Sequence, residues 1–281
     1  MLILAAVPLG NPADASARLR SAIEKSRFVA AEDSRRFARL CQDLGVHHNA
    51  KVISFFEGNE NERLETLMDI LESGEDVLVV TDAGAPGISD PGYRLTREAV
   101  ERNIAVHVLP GPSAVTTALL LSGLPTDRFC FDGFAPRTSQ ARLAWFEERA
   151  SEERTLIIFE APHRLVESLE NMQTAFGPER KIAICREMTK TYEEVARGNI
   201  SEMLAWARSK EILGEITIVI EGFNPDSREF SSDEIIDRVI SRELAGESRK
   251  EAIAAVAKDI GVAKREIFDL MVAHKAESKK G

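Results

Sequence analysis

The chain has little cysteine, no long apolar run and no excess of basic charge, and each shortage excludes a class of protein. Cys41, Cys130 and Cys185 are the only three cysteines in 281 residues, and they stand far apart. That rules out a disulfide framework or a cysteine-built zinc site and fits a reducing compartment. No apolar run approaches the roughly 20 residues needed to cross a bilayer. The apolar start, residues 1–7, lacks a basic flank and runs directly into Pro8-Leu9-Gly10-Asn11-Pro12. It is expected to be a first strand, not a signal peptide, in a cytoplasmic protein without membrane contact. The net charge of −10 excludes a generic nucleic-acid coat. Residues 228–281 carry 11 Lys plus Arg against 11 Asp plus Glu, so the whole negative excess lies in residues 1–227. A polyanion would have to be met by local basic patches. No GxGxxG fingerprint, P-loop, nucleophilic triad or metal-ligand spacing is present, and no metal is expected.

What is present is a regular alternation of strand and helix patterns. Residues 2–7, 28–31, 52–55, 77–81 and 104–109 read as strands, separated by helical patterns at 15–25, 34–44, 60–73 and 93–103. This predicts an α/β, doubly wound first lobe over residues 1–112, with Asp14 as a helix cap. After Gly123-Leu124-Pro125-Thr126-Asp127, strands at 128–131, 155–160, 181–186, 193–197 and 215–221 lie closer together. Helices at 139–150, 163–176 and 200–208 interrupt them. The second lobe, residues 113–224, is therefore expected to be a mixed sheet with helices packed on it. Asn224-Pro225-Asp226-Ser227 reads as a linker. Residues 228–281 form a small helical domain, with helices at 232–243, 249–259 and 264–275. Gly261-Val262 stands where a helix-turn-helix turn would fall, and Lys279-Lys280-Gly281 reads as a frayed end.

Glycine and proline cluster where strands end. Thr-Asp-Ala-Gly-Ala-Pro-Gly-Ile-Ser-Asp-Pro-Gly-Tyr, residues 81–93, is too long for a simple strand-to-helix connection. Its glycines permit positive φ and close ligand approach, its prolines stiffen the path, and Asp82 sits where open α/β sheets bind ligands. Asp82 and Asp90 are alternatively plain turn caps. Gly10 allows similar approach after the first strand. Pro110-Gly111-Pro112-Ser113-Ala114 offers free N–H groups and a hydroxyl at a helix start, suited to a carboxylate or ribose hydroxyl, with Ser113 alternatively an N-cap. Three further strand ends mix acid and base: Glu32-Asp33-Ser34-Arg35-Arg36, Glu160-Ala161-Pro162-His163-Arg164 and Arg186-Glu187-Met188-Thr189-Lys190. The remaining histidines, His47, His48, His107 and His274, lie outside such settings.

Taken in order, Pro-Leu-Gly-Asn, Ala-Ala-Glu-Asp-Ser-Arg, Asp-Ala-Gly-Ala-Pro-Gly-Ile-Ser-Asp-Pro-Gly, Pro-Gly-Pro-Ser-Ala, Leu-Pro-Thr-Asp-Arg-Phe, Glu-Ala-Pro-His-Arg and Arg-Glu-Met-Thr-Lys resemble the small-subunit ribosomal RNA methyltransferases of the tetrapyrrole methylase superfamily. The resemblance runs from residue 2 to about residue 222, and the Ser-Arg-Lys-Glu-Ala segment at 248–252 extends it into the tail. It implies a two-lobed fold with S-adenosylmethionine in the cleft between lobes and a homodimer. It also implies methyl transfer to the ribose 2′-oxygen of a decoding-region cytidine, position 1402, in the 16S rRNA of the small ribosomal subunit. Carried over by position, Pro8, Gly10, Asp82, Ala85, Ser113 and Ala114 would meet the cofactor from the first side. Glu160, Ala161, Met188 and Ile216 would meet it from the second. The sequence has Ala85 where the family often has Thr, Ala161 where it often has Ser, and Pro12 in place of the usual Leu.

The reaction needs a proton acceptor and a hold on RNA. Glu32 or Asp33 is expected to take or orient the hydroxyl proton, with Lys190 lowering the hydroxyl's pKa as a second candidate. Arg35, Arg36, Arg137 and Arg164 are expected to hold the RNA backbone. Arg249 and Lys250 in the tail either add phosphate contacts or belong to a bundle serving dimerisation or stability. The competing readings are a porphyrin or corrin methyltransferase and a non-enzymatic ribosome-assembly factor.

Overall fold

The computed structural model describes residues 1–225, 232–260 and 262–277. The chain divides into a large unit, Met1–Gly222, and a small one, Phe223–Gly281. Asp226 and Ser227 of the expected linker, Gly261 of the expected turn and Lys279-Lys280-Gly281 lie outside the described residues.

The large unit begins with five short strands, β1 (Leu2–Ala5), β2 (Phe28–Ala31), β3 (Lys51–Ser54), β4 (Val77–Val80) and β5 (Val106–Leu109). They pair in the order β3-β2-β4-β1-β5, every neighbour parallel. β4 is buried along its whole length, which is why it reads as an unbroken β-branched run and not as an alternation. Val77 and Val79 face α3 (Glu60–Glu72) and α4 (Tyr93–Glu101) through Leu67, Met68 and Leu95. Leu78 and Val80 face α1 (Ala17–Lys25) and α2 (Ser34–Leu44) through Leu19, Ile23 and Phe37. β1 and β4 are therefore neighbours whose following helices, α1 and α4, lie on opposite faces. Such a switch point opens a crevice at the carboxyl ends of the strands.

Local chemistry sets the helix ends. α2 starts where the Asp33 carboxylate accepts the N–H groups of Arg35 and Arg36, and it stops at Gly45 with φ 64°. The N-cap of α1 is Ser16, not Asp14 as expected. Pro12–Asp14 instead form a single tight turn closed by the Asn11 side chain, which accommodates Pro12 at its first position.

The second sheet contains β6 (Phe129–Phe134), β7 (Thr155–Glu160), β8 (Lys181–Arg186), β9 (Glu194–Asn199) and β10 (Ile216–Ile220), in the order β6-β7-β10-β8-β9. Only β6 and β7 pair in parallel, so the sheet is mixed, as expected. α5 (Ala114–Ser122) covers one face, against Ile157, Ala183 and Val219. α6 (Ser139–Glu147), α7 (Leu165–Phe176) and α8 (Ile200–Arg208) cover the other, against Ile158, Ile184 and Ile218. The three cysteines are free thiols, and burial pushes Cys185 up to about 11, which leaves it inert.

Among its described residues the small unit has three helices, α9 (Ser232–Leu244), α10 (Arg249–Ile260) and α11 (Lys264–Glu277), around Val239, Ile253, Val256, Ile267 and Met271. Ser248 and Glu251 form a reciprocal cap at the start of α10. Among the described residues no helix is long and apolar enough to cross a membrane.

Candidate active site

The strand ends of the two sheets enclose a cleft of about 400 Å³. From the first sheet it is lined by Leu9 after β1, Glu32 and Arg36 after β2, and the 82–90 loop after β4. Ser113 and Ala114 at the start of α5 join them. From the second sheet come Phe134, Phe159 to Pro162, Met188 and residues 214–217. The antiparallel course of β10 explains the last group. Ile216 pairs with Glu160 and with Arg186, so the beginning of β10 meets the ends of β7 and β8.

The loops are cross-tied. Val7 and Gly84 exchange backbone hydrogen bonds of 2.8 and 3.2 Å, which seats the first loop on the long one. The Glu32 carboxylate accepts the Asp82 N–H at 3.0 Å, and Asp82 pairs with Arg36 at 3.3 Å. At the far end of the loop, buried Glu60 accepts the Gly92 N–H at 3.1 Å. Gly92 adopts φ 132° with its α-carbon packed toward Gly87 and Pro86, a position no other residue fills without strain. Ser89 is held at φ 61°, and Glu187 and Thr189 at 49° and 65° on either side of Met188. Left-handed non-glycine residues cost energy; of the four among the described residues these three lie on the cleft's loops, and the fourth, Asn103, follows α4.

The structure brings eight of the ten expected cofactor residues to the cleft wall: Asp82, Ala85, Ser113 and Ala114 on one side, Glu160, Ala161, Met188 and Ile216 on the other. Pro8 and Gly10 do not line it; Leu9 between them does. Gly10 has a different constraint. A Cβ there would run into Cγ of Lys190, so glycine lets the lysine stem lie across the first loop. Asn11 donates to Thr189 Oγ1 at 3.2 Å beside it, joining the same two loops. The sequence did not single out Leu9, Ile88, Phe134 and Glu215 as lining residues.

The expected catalytic groups differ in position. Glu32 lines the cleft, and burial raises its pKa while the Asp82 N–H opposes the shift. Asp33 does not line it. Its carboxylate caps α2 and meets the Arg35 guanidinium, contacts that hold its pKa low. Lys190 is also outside the lining. Its ammonium lies 2.9 Å from Glu187 and 3.0 Å from Glu215. Burial works against its charge, yet these two carboxylates prevail and keep it protonated.

The arginines separate in the same way. Arg35 is 91% exposed. Arg36 faces the cleft on Asp82. Arg137 is exposed, on a loop whose backbone carbonyls are gripped by two inward-pointing arginines. Arg142, fully buried, donates to the Arg137 carbonyl, and Arg164 donates to those of Ala135 and Pro136 at 2.7 and 3.0 Å. Arg164 also sits 3.1 Å from the fully buried Glu160 carboxylate, which takes hydrogen bonds from Ser168 and the Ala161 N–H. Its guanidinium thus serves the protein interior. In the small unit, Arg249 lies 3.6 Å from Glu243 and Lys250 is exposed.

The cleft suits S-adenosylmethionine by the chemistry of its wall. Apolar Leu9, Ile88, Val115 and Phe159 alternate with carboxylates that outnumber the one arginine, complementing a sulfonium and an ammonium. Ser113 makes no side-chain cap, so the first N–H groups of α5 remain open toward an anionic or hydroxyl group.

Comparison with known proteins agrees with this geometry. Residues 1–204 match the family model for tetrapyrrole (corrin/porphyrin) methylases. The Ribosomal RNA small subunit methyltransferase I of Mycobacterium bovis is 45% identical over 278 residues, covering 99% of this chain and 96% of that one. The protein of the same name from Escherichia coli O157:H7 is 36% identical over 95% of this chain and 93% of its own length. Among solved structures, diphthine synthase superposes with a TM-score of 0.57 at 15% identity, over 79% of this chain and 90% of that one. The Thermus thermophilus uroporphyrin-III C-methyltransferase complexed with S-adenyl homocysteine superposes with 0.54 at 17%, over 78% and 95%. The match to the family model over residues 1–204 and the near end-to-end similarity to the two rRNA methyltransferases lead to one statement: this chain belongs to the tetrapyrrole methylase family.

Proposed function

We propose that this protein transfers the methyl group of S-adenosylmethionine to a ribose 2′-oxygen of a decoding-region cytidine in the 16S rRNA of the small ribosomal subunit. The observation that carries the reading is the 45% identity to a small-subunit rRNA methyltransferase over 99% of the chain, tail included. The cleft is consistent with it. Asp82 and the open start of α5 would hold the cofactor's polar ends, while the apolar wall takes its remaining surface. Bound there, the cofactor supplies an already activated methyl group, so the chain's task is placement. Orientation of this kind supplies about 7–11 kcal/mol of a barrier, more than the roughly 10²–10⁴-fold in rate from a positioned base.

A ribose in folded RNA reaches such a cleft only if its nucleotide is drawn out of the stack. Phe134, half exposed at the cleft wall and edge-on to Phe159 at 5.5 Å, offers a stacking face for the extruded base. Arg36 at the cleft wall and the exposed Arg35 and Arg137 would take phosphates, as would Arg249 and Lys250. A homodimer is part of the same reading.

The test offers radiolabelled S-adenosylmethionine and the protein to small ribosomal subunits from cells lacking the corresponding gene. Label mapping by digestion and mass spectrometry to the ribose of one cytidine is expected. Label on a porphyrin or corrin, with none in RNA, overturns the reading. Subunit binding without any methyl transfer overturns it in favour of an assembly factor.

A further inference from the structure

Five carboxylates reach the cleft: Glu32, Asp82, Asp90, Glu160 and Glu215. Four are engaged. Glu32 accepts the Asp82 N–H, Asp82 holds Arg36, Glu160 is enclosed by Ser168, Arg164 and the Ala161 N–H, and Glu215 holds Lys190. Among the described residues Asp90 makes no hydrogen bond and no ion pair. Its loop is nonetheless fixed. The Gly87 N–H donates to the Pro91 carbonyl at 3.1 Å, Ser89 is locked at φ 61°, and Gly92 is anchored on buried Glu60. A free carboxylate is thus held on a rigid support inside the cleft.

We propose that Asp90 is the proton acceptor of the methyl transfer, an inference that rests on the ribose 2′-hydroxyl being the substrate group. The alternatives fail on geometry. Asp33 is a helix cap bonded to Arg35, and Glu32 is the clamp on the Asp82 backbone. In the step, the 2′-oxygen forms a bond to the methyl carbon as the methyl–sulfur bond breaks and its electron pair goes to sulfur, cancelling the sulfonium charge. The hydroxyl proton passes to the Asp90 carboxylate and leaves to solvent after the product departs. Atoms and charge balance without any further reactant.

The surroundings tune the group to this task. Burial first, then the charges of Glu32, Asp82 and Glu215, push Asp90 up to about 7. Facing it are Glu32 and Arg36 beyond β2, Asp82 from its own loop, Glu160 at the end of β7 and Glu215 ahead of β10 with Lys190 upon it. A base matched to neutral pH combines an ionised fraction with real proton affinity.

The experiment combines carboxyl titration with single-turnover kinetics. In protein labelled with ¹³C at aspartate carboxyls, one resonance should titrate near pH 7 and be missing in Asp90→Asn. In Glu32→Gln, whose amide oxygen still accepts the Asp82 N–H, that resonance should titrate at lower pH. With labelled cofactor and small subunits, the wild-type rate should rise with unit slope through the same pH. Asp90→Asn should lose about 10²–10⁴-fold while binding S-adenosylmethionine within about threefold of wild type by calorimetry, and Asp90→Glu should recover part of the loss. Titration of every aspartate in the ordinary acid range, or an Asp90→Asn rate within about threefold of wild type, overturns the proposal. Wild-type protein that binds cofactor yet labels no RNA instead overturns the substrate reading, whatever Asp90 titrates at.

Discussion

Glu160, at the end of β7, and Asp90, in the long loop after β4, are both acids lining one cleft, and their surroundings could hardly differ more. Glu160 has no exposed side-chain surface and meets Arg164, Ser168 and its neighbour's N–H. Asp90 meets no donor and faces other carboxylates. The first is a structural anchor that holds the Ala135-Pro136 loop through Arg164. The second is a group kept uncompensated, which proteins tolerate where chemistry needs it. The carboxylate and the place in the cleft wall are shared, so neither separates structure from function. The count of satisfied partners does.

The largest effect should come from breaking the anchored side. Glu160→Ala leaves the Arg164 guanidinium buried without its counter-ion, and losing one partner of a buried pair costs about 3–5 kcal/mol. Urea denaturation should show that loss, and Arg164→Ala should show a comparable one, with the double variant well short of the sum. A loss below about 1 kcal/mol would mean that the pair is effectively solvated and that the contrast with Asp90 is false. Glu60→Ala comes next. It strands the buried Gly92 N–H at a cost of about 1–3 kcal/mol, and faster hydrogen exchange at Gly92 should accompany it. Unchanged exchange there would show that the loop holding Asp90 does not depend on Glu60.

Much of this was legible in the sequence. The β-branched runs, the glycine after α2 and the alternation of helix and strand gave both sheets, because local propensity and burial point the same way there. The cleft's position followed from glycine and proline at strand ends. The engagement of each carboxylate was not legible, because the partners are remote. Glu32 meets the Asp82 backbone 50 residues away, and Glu60 meets Gly92 across 32. Glu215 escaped notice for a topological reason: it precedes a strand, and only the antiparallel course of β10 carries that beginning to the edge where other strands end. Arg164 looked like a phosphate ligand beside His163, yet the fold turns it inward to the Ala135 and Pro136 carbonyls.

The free side of the comparison gives a subtler signature, in pH. An unfolded aspartate titrates near about 3.9, whereas folding pushes Asp90 up to about 7. A raised folded value means that folding favours the protonated form. Its contribution to stability is present below the unfolded pKa and is lost as pH rises through 7. Asp90→Asn cannot ionise, so it keeps that contribution. Thermal melts should give the two proteins similar midpoints near pH 4 and a variant increasingly more stable than wild type toward pH 8. A midpoint difference that stays constant with pH would show Asp90 to be as compensated as Glu160.

The smallest effect sharpens the same contrast between two helix starts. Asp33 bonds the first N–H groups of α2, whereas Ser113 makes no side-chain bond at the start of α5. Asp33→Ala removes a working cap and should lower the melting midpoint. Ser113→Ala removes none and should stay within about 0.5 kcal/mol of wild type. Affinity for S-adenosylmethionine should reverse the order. Ser113 lines the cleft with open N–H groups behind it, while Asp33 lies outside the lining. Calorimetry should therefore show weaker binding in Ser113→Ala and unchanged binding in Asp33→Ala. If Ser113→Ala loses stability and keeps its affinity, Ser113 is a cap after all, and the start of α5 belongs with the anchored groups.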